Sequence, residues 1–335
     1  MKKKNLLYKS MLLAGLLPLI FLGSCKKDTL DSDDLLVYVA GDYASTSNTV
    51  TAPFLHTPLN VSGDSVIRIA ASATRNVLAD VDITFSADTS QVAQYNTTNK
   101  TGCVALPAAN YKIVNPGKHT IASGNVVSDS MEIDILNPAV LTNPNGYLLP
   151  LSIATIAGKD KGVRISTNRR TVFVNVTYIF NNIVATQSPL TGALFSRTGW
   201  ILTVSNTTAG ALGPAMLDGN NSTAWRSSNS STAAKYVILN MGAQQKVSGF
   251  QLVPDYVTTT ENPTQIKVST SADSVSWTVQ GIWAGTAPAA GSSAASPDIK
   301  GVDFIAPVQA KFYRFDITAW ISGSRTGIGE LNAVR

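Results

Sequence analysis

From residue 35 onward, apolar side chains recur at every second position in short runs, and this period of two constrains the fold more than any other feature. Such a run fits a strand with one buried face. Turn-forming Gly, Asn, Ser, Thr and Pro residues separate the runs. The chain is therefore predicted to be all-β, built from β-sandwiches. The clearest runs are 35–40, 66–71, 81–85, 126–136, 148–153, 171–180, 236–241, 247–253, 265–270 and 312–318.

Two interruptions of this pattern carry information. Residues 89–95 lack the alternation and follow Asp88, a residue suited to the N-cap of a helix, so one short helix is expected there. The segment 181–188 is polar and rich in turn residues, directly after the strand-like run 171–180. It marks a boundary between two domains, predicted at 35–181 and 187–335.

The first residues indicate secretion. Lys2, Lys3 and Lys4 precede an apolar run from 11 to 22, which is typical of a secretory signal and too short to cross a bilayer core. The run ends in Leu22-Gly23-Ser24-Cys25, which resembles a bacterial lipobox. That resemblance implies a lipoprotein signal peptide over 1–24 and acylation of Cys25, which anchors the protein without spanning the membrane. An ordinary signal peptide followed by a chance cysteine is the alternative.

Residues 25–34 form a short tether with Lys26, Lys27 and four aspartates. Acidic tethers of this kind can direct surface export in Bacteroidota-type lipoproteins, but here the lysines come first. We predict an outer-membrane lipoprotein of the cell envelope and leave open whether it faces the surface or the periplasm. Losing Lys2, Lys3, Lys4 and Lys9 with the signal lowers the formal charge from +5 to +1. No basic tract remains, so no nucleic-acid partner is expected.

The residue inventory disfavours catalysis. The chain has two histidines and only three glutamates, Glu132, Glu261 and Glu330, and it lacks the common hydrolase, metalloprotease and phosphate-loop motifs. A glycosidase needs two positioned carboxyl groups, one with a raised pKa. The aspartate pairs at period two are interpreted instead as solvated strand faces. Cys103, the one cysteine besides Cys25, is expected to be a buried small residue.

The C-terminal half carries a series of short motifs: AMLDGNNSTAWR (215–226), YVILNMG (236–242), VSGF (247–250), PTQIKVSTS (263–271), SW (276–277), AKFYRF (310–315) and GIGEL (327–331). The series resembles the discoidin, or coagulation factor 5/8 type C, domain and is similar to carbohydrate-binding module family 32. The resemblance implies an eight-stranded jelly roll with binding loops at one end.

The resemblance also implies a structural Ca²⁺ that joins the first and last loops of the domain. Calcium prefers six to eight oxygen ligands. Asp218 and Glu330 match the carboxylate positions, and the carbonyl or hydroxyl positions match Ala215, Asn220, Thr223 and Gly329. A type I turn at Asp218-Gly219 without metal is the alternative.

The sequence offers fewer candidate residues for ligand binding than for the metal site. Sugars bind by stacking on aromatic rings while their hydroxyl groups bond polar side chains. Tyr256 and Trp320 lie in turn-rich segments, and Asn262 matches an Asn that binds galactose in some relatives of this family. These three residues are the candidates, whereas Trp200, Trp225 and Trp277 match framework positions. The position where some relatives bind galactose with an Arg reads Asp255-Tyr256, and the loop 227–232 has no histidine. Another glycan, or a protein, therefore stays open.

The N-terminal half resembles domain of unknown function 1735 of Bacteroidota lipoproteins. The motifs are DITF (82–85), VAQYN (92–96), ALP (105–107), ASG (122–124) and YLLPLSI (147–153). That family implies an immunoglobulin-like sandwich, often placed before lectin-like or glycosidase domains in polysaccharide-utilisation systems.

Together these features predict a non-catalytic envelope lipoprotein that binds a glycan, in a polysaccharide-capture system with protein partners of a glycan-uptake complex. An adhesion or assembly lipoprotein whose jelly roll docks onto a protein is the alternative.

Overall fold

The structure is a computed structural model that describes residues 34–39 and 48–335. The predicted lipidation site Cys25, the signal peptide and the tether up to residue 33 lie outside the described residues. In the described part of the chain, no helix has the length and apolar character needed to cross a membrane.

The first half folds into three packed sheets. Their strand orders are β12-β1-β5, β4-β10-β8 and β3-β2-β13-β11-β6-β9, with β7 also paired to β11. The strands are β1 (Leu35–Val39), β2 (Thr49–His56), β3 (Val61–Ser62), β4 (Val66–Ile69), β5 (Ala71–Ala73), β6 (Val81–Ala87), β7 (Val104–Ala105), β8 (Tyr111–Ile113), β9 (Lys118–Ile121), β10 (Met131–Ile135), β11 (Tyr147–Gly158), β12 (Val163–Ile165) and β13 (Thr171–Phe180).

The predicted helix is present and is longer than expected. A 3₁₀ turn over Thr89–Gln91 leads into helix α1 (Val92–Asn99). Asp88 accepts a hydrogen bond from the backbone N–H of Ser90, as expected of an N-cap. Two further 3₁₀ helices in this half are Ala108–Asn110 and Pro138–Val140. The predicted strand at 126–136 is shorter, since the strand spans Met131–Ile135, and Val127 forms only an isolated bridge with Ser72.

The second half is built from β14 (Ile201–Val204), β15 (Trp225–Arg226), β16 (Tyr236–Val253), β17 (Pro263–Ser271), β18 (Thr278–Ala284), β19 (Lys300–Trp320), β20 (Gly327–Ile328) and β21 (Glu330–Val334). Two 3₁₀ helices, Gly213–Leu217 and Thr259–Glu261, lie in its loops.

Two long strands make this half a jelly roll. The first part of β16 pairs with β14 and with the end of β19, whereas its second part pairs with β21 and with the start of β19. Register shifts after Asn240 and Val247 let the strand bend from one layer into the other. The predicted strands 236–241 and 247–253 are thus one bent strand, and the all-β fold class of two sandwiches is confirmed.

Each half has its own hydrophobic core. The first draws buried side chains from Leu35 to Val176 and the second from Ile183 to Ala333. Trp225 is completely buried in the second core, whereas Trp200 only packs against its edge. Trp283 is also a core residue, and its indole N–H donates to the carbonyl of Gly301 at 2.7 Å.

Candidate functional site

The strand pairing collects most loops of the jelly roll at one end, here called the loop end: residues 205–235, 254–262, 285–299 and 321–329. Backbone bonds fasten the loops to one another. Ser227 donates to the carbonyl of Thr326 at 2.9 Å, and Ser322 donates to the carbonyl of Thr260 at 2.9 Å. Every candidate metal or ligand residue of the sequence analysis lies in or beside this end, except Cys25.

The predicted metal residues meet there. Oε1 of Glu330 accepts hydrogen bonds from the backbone N–H groups of Gly219 and Asn220 at 2.8 and 3.1 Å. Thr223 Oγ1 lies 2.7 Å from Asp218 Oδ2 and 2.8 Å from the carbonyl oxygen of Asn220. Ala215 lies in the 3₁₀ helix that leads to Asp218, and Gly329 directly precedes Glu330. The contacts bring together oxygens of Asp218, Asn220, Thr223 and Glu330, and they place Ala215 and Gly329 next to this group only along the chain.

The two carboxyl groups of this cluster influence each other. Burial raises the pKa of Glu330 above its ordinary value, and a contact with the Asp218 carboxyl raises it further against the opposing effect of Arg197. Although burial alone would raise the pKa of Asp218, hydrogen bonds from Thr223 and Asn220 hold it below its ordinary value. Opposite shifts in adjacent carboxyl groups are the pattern of a shared proton.

A cation fits this arrangement. A divalent ion neutralises two facing carboxylates as a proton does, and the donor set of carboxylate, hydroxyl and carbonyl oxygens is the one that calcium prefers. Arg197 contacts the second oxygen of Glu330 and Oδ1 of Asn332, leaving Asp218 as the carboxylate without a full countercharge. Within the described residues, no group of three or more His, Cys, Asp or Glu side chains could hold a metal ion, so an ion at this point would need neutral oxygens as its remaining ligands.

The predicted ligand-binding residues have different environments. Asn262 is buried, and its amide holds the loop 254–262: its Oδ1 accepts from Asp255 N–H at 2.7 Å, and its Nδ2 donates to the carbonyls of Asp255 and Thr259. The prediction that Asn262 contacts a ligand is not supported by this placement, because its polar atoms are already bonded. Tyr256 is half-buried, and its hydroxyl accepts from the N–H of Asp298 at 2.7 Å.

Trp320 is the candidate with the most open position. It is partly buried at the edge of the core, and its indole N–H donates to the carbonyl of Gly323 at 3.0 Å. The ammonium group of Lys235 lies 4.7 Å from the ring centroid. Burial lowers the pKa of Lys235, whose hydrogen-bond partners are the carbonyls of Ser230 and Ala233. This cation–π contact helps to hold the Trp320 ring in one orientation at the loop end.

The sequence analysis missed a cluster of four charged residues, here called the ion-pair cluster: Arg226, Asp255, Glu261 and Arg325. Arg226 pairs with the fully buried Asp255, with one contact at 2.9 Å. Arg325 donates to Glu261 at 2.9 Å, and Arg226 lies 4.0 Å from the other oxygen of Glu261. The side chain of Arg325 is one-third exposed (33%), so it faces a ligand approaching the loop end.

A sequence signal for this cluster exists. Charged residues make up only 14% of the chain, and Glu261 is one of three glutamates. When a charged residue is rare in the chain and its own segment offers no oppositely charged neighbour, an ion-pair partner from elsewhere in the fold is expected. The identity of that partner could not be read from the sequence, because Arg325 and Glu261 are 64 residues apart.

A groove of about 510 Å³ runs beside these groups. Asp218 and Thr223 line one part of it, and Arg226 and Val257 line another. Leu212 and Val257 expose more than half of their surface there. The loop end therefore offers a concave surface that combines guanidinium, carboxylate and apolar groups.

Comparisons with known proteins agree with this architecture. A family model described as the F5/8 type C domain matches residues 202–331, and one described as an N-terminal domain matches residues 30–160. Both sequence resemblances are thereby confirmed. No curated protein matches the chain.

Solved structures extend the likeness to the whole chain. A two-domain protein of unknown function from Bacteroides fragilis is 17% identical, covers 91% of this chain and 96% of its own, and has a TM-score of 0.59. Two family 32 carbohydrate-binding modules from Clostridium perfringens are also similar. The third such module of a family 31 glycoside hydrolase is 15% identical over 42% of this chain and 94% of its own, with a TM-score of 0.38. The NanJ module, solved with galactose, is 16% identical over 43% and 100%, with a TM-score of 0.37.

Proposed function

Because residues 202–331 form an F5/8 type C domain, we propose that this protein is a non-catalytic glycan-binding protein whose ligand is held at the loop end of its jelly roll. The observation that carries the proposal is the ion-pair cluster. Arg325 is partly exposed, and its guanidinium is fixed by Glu261. A preorganised charged pair can bond the vicinal hydroxyl groups of a sugar with little loss of side-chain entropy.

The apolar part of the ligand has its own contact. Trp320 lies at the end of β19, directly before the loop that carries Arg325. Because the ring is only partly buried, a sugar face can stack on its exposed part while its hydroxyl groups meet Arg325. Tyr256 contributes mainly through its hydroxyl bond to Asp298, which supports the neighbouring loop.

Calcium is proposed as a structural ion of the same end. Asp218, Asn220, Thr223 and Glu330 would supply carboxylate, carbonyl and hydroxyl oxygens. The backbone carbonyls of Ala215 and Gly329 are proposed as further ligands from the family resemblance. The ion would bind the Asp218 loop to the last strand and so hold one wall of the groove rigid. It takes no part in a reaction.

The setting of this binding is proposed from the N-terminal sequence. Acylation at Cys25 would attach the protein to the outer membrane, and the N-terminal sandwich would hold the jelly roll away from the lipid surface. Such an arrangement suits a protein that captures polysaccharide for a glycan-uptake complex in the cell envelope. Surface and periplasmic orientations are both compatible with it.

A glycan array probed with the full chain tests the proposal. Arg325→Ala and Trp320→Ala should each weaken or abolish binding to any glycan that the wild type retains. Both changes also remove contacts within the loop end, so binding is compared at a temperature at which circular dichroism shows each variant to be folded. Lys246→Ala is the matched control, because Lys246 is exposed at the opposite end of the jelly roll. Unchanged binding in both loop-end variants would place the ligand elsewhere.

The exposed side chains of Leu212 and Val257 favour protein docking as the second candidate. If the wild type binds no glycan on the array, this candidate becomes the better one. Leu212→Ser combined with Val257→Ser should then release a co-purifying envelope protein that the wild type retains.

A further inference from the structure

A second groove lies on the N-terminal sandwich, remote in sequence from the loop end. It has a volume of about 320 Å³ and runs between helix α1 and the start of β13. Tyr95 of the helix packs on Phe173 of the strand, with ring centroids 4.8 Å apart and planes inclined by 44°. Val92, Cys103 and Leu148 form the small buried cluster beneath these rings. The floor of the groove is therefore aromatic and rigidly supported.

The walls of this groove carry polar groups that the fold does not use. The side chains of Gln94 and Thr98, both exposed to solvent, and the Tyr95 hydroxyl line it and make no side-chain hydrogen bond among the described residues. By contrast, Gln91 on the same helix is occupied, since its amide donates to Asp88 and Ser152 at 2.9 and 3.1 Å. The unused donors and acceptors thus project from one helix face into a concave space.

The charge of the groove is carried by Arg170, the one ionised side chain among the described residues that line it. Asp88, which bonds Gln91 of the groove wall, lies close enough to interact electrostatically with this guanidinium. The Nε of Arg170 donates to the carbonyl of Ile153 at 2.8 Å, which orients the guanidinium and leaves the terminal nitrogens for a ligand. A fixed guanidinium recognises a carboxylate in bidentate geometry.

These features together select one ligand class. Amide and hydroxyl groups bond sugar hydroxyls, a supported aromatic ring contacts the apolar face of a pyranose, and a lone guanidinium favours an acidic group. We propose that this groove is a second saccharide site and that it prefers sugars bearing a carboxylate. The inference does not depend on ligand binding by the jelly roll, because no residue is shared between the two sites.

Affinity electrophoresis of the full chain in gels containing polygalacturonate or neutral galactan tests this inference. All variants carry Arg325→Ala, so that the loop end of the jelly roll does not contribute. The parent should be retarded more by polygalacturonate than by galactan. Adding Gln94→Ala and Thr98→Ala should weaken binding about tenfold, as expected for two lost hydrogen bonds. Arg170→Gln should abolish the preference for polygalacturonate.

Thr97→Ala is the matched control. Thr97 is exposed on the same helix, bonds only the carbonyl of Ala93, and does not line the groove, so retardation should be unchanged. Three results would overturn the inference. The first is that neither gel retards the Arg325→Ala parent, and the second is that the parent and the Gln94→Ala/Thr98→Ala variant are retarded equally. The third is that dextran sulfate retards the parent as strongly as polygalacturonate does. The last result would indicate simple attraction to a polyanion.

Discussion

The Glu330 carboxylate accepts a hydrogen bond from the backbone N–H of Gly219 at 2.8 Å and so fastens the last strand of the jelly roll to its first long loop. Gly219 has a φ of 79°, in the left-handed region that favours glycine. That conformation turns its N–H toward Glu330 instead of toward solvent. The loop that carries Asp218 is thus held from the far end of the sequence, and the consequences are measurable.

Calcium is expected to raise the melting temperature of the jelly roll, and a chelator to lower it. A ligand that binds only the native state at a hundredfold excess over its Kd adds about 2.7 kcal/mol to the free energy of unfolding. Glu330→Gln keeps the size of the side chain and should remove most of the calcium effect. Glu132→Gln is the control, since Glu132 forms only a surface pair with Arg68. Identical wild-type melting in chelator and in calcium would contradict the site.

The calcium effect should also depend on pH. Without the ion, the folded state binds a proton at Glu330 more readily than the unfolded state, because burial raises the pKa of Glu330. Stability falls with rising pH wherever the folded state holds more protons, so above its unfolded pKa this group is destabilising. Calcium replaces that proton. The shift in melting temperature should therefore be largest at neutral pH and fade as the pH falls into the carboxyl range; a constant shift would refute this.

Asp255→Ala should lower the free energy of unfolding by about 3–5 kcal/mol, because it leaves the Arg226 guanidinium without its buried partner. Asp255 also accepts from the N–H groups of Val257 and Thr258, so the loop 254–262 loses two further bonds. Chemical denaturation measures the loss. The double variant Arg226→Met/Asp255→Ala should recover part of it, since the unpaired charge is gone. If the double variant is as unstable as Asp255→Ala, the buried charge is not the cause.

Asn182 fastens the segment that follows β13 to the jelly roll, and Asn182→Ala should destabilise the jelly roll by about 1–3 kcal/mol. Its side chain is buried and bonds Gln280 Oε1 at 3.1 Å and both the carbonyl and the N–H of Ala306, at 3.0 and 2.8 Å. The alanine leaves these groups unpaired. Asn99→Ala is the control, because its amide bonds only its own helix at Tyr95. Equal denaturation midpoints for the two variants would disprove the role.

Cys25→Ala should abolish acylation and release the protein into the soluble fraction. The reason is the Leu22-Gly23-Ser24-Cys25 sequence at the end of the apolar run. Metabolic labelling with a palmitate analogue, followed by fractionation, measures both effects. Cys103→Ala is the control, since Cys103 is a buried free thiol. Equal labelling of wild type and Cys25→Ala would refute the lipobox.

Strand positions were the most predictable part of the fold. The run 171–180 coincides with β13, and the alternation of buried and half-buried residues along it follows the period of the sequence. Strand ends were less predictable. Only register could show that 236–241 and 247–253 are one strand, because the bend between them depends on the pairing of Gln245 with Ala310 across the sheet.

The residues of the candidate site also differ in how well the sequence predicted their roles. Asp218 and Glu330 were found through motifs that resemble those of the F5/8 type C family, and the structure brings them together. Asn262 was chosen because it matches a galactose-binding Asn of some relatives, and in the structure its amide bonds the backbone of its own loop. A sequence cannot tell a loop amide that faces solvent from one that closes the loop, since both lie in the same polar surroundings.

By itself the sequence determined the all-β class, the division into two domains and the residues that converge at the Asp218 loop, because hydrophobic period and short motifs are local properties. Tertiary structure alone decided the pairing of Arg325 with Glu261, the burial of Asp255 beside Arg226 and the groove between Tyr95 and Arg170. Those contacts join residues far apart in the chain. Their partners are fixed by strand register and loop packing, which depend on the whole fold and not on any one segment.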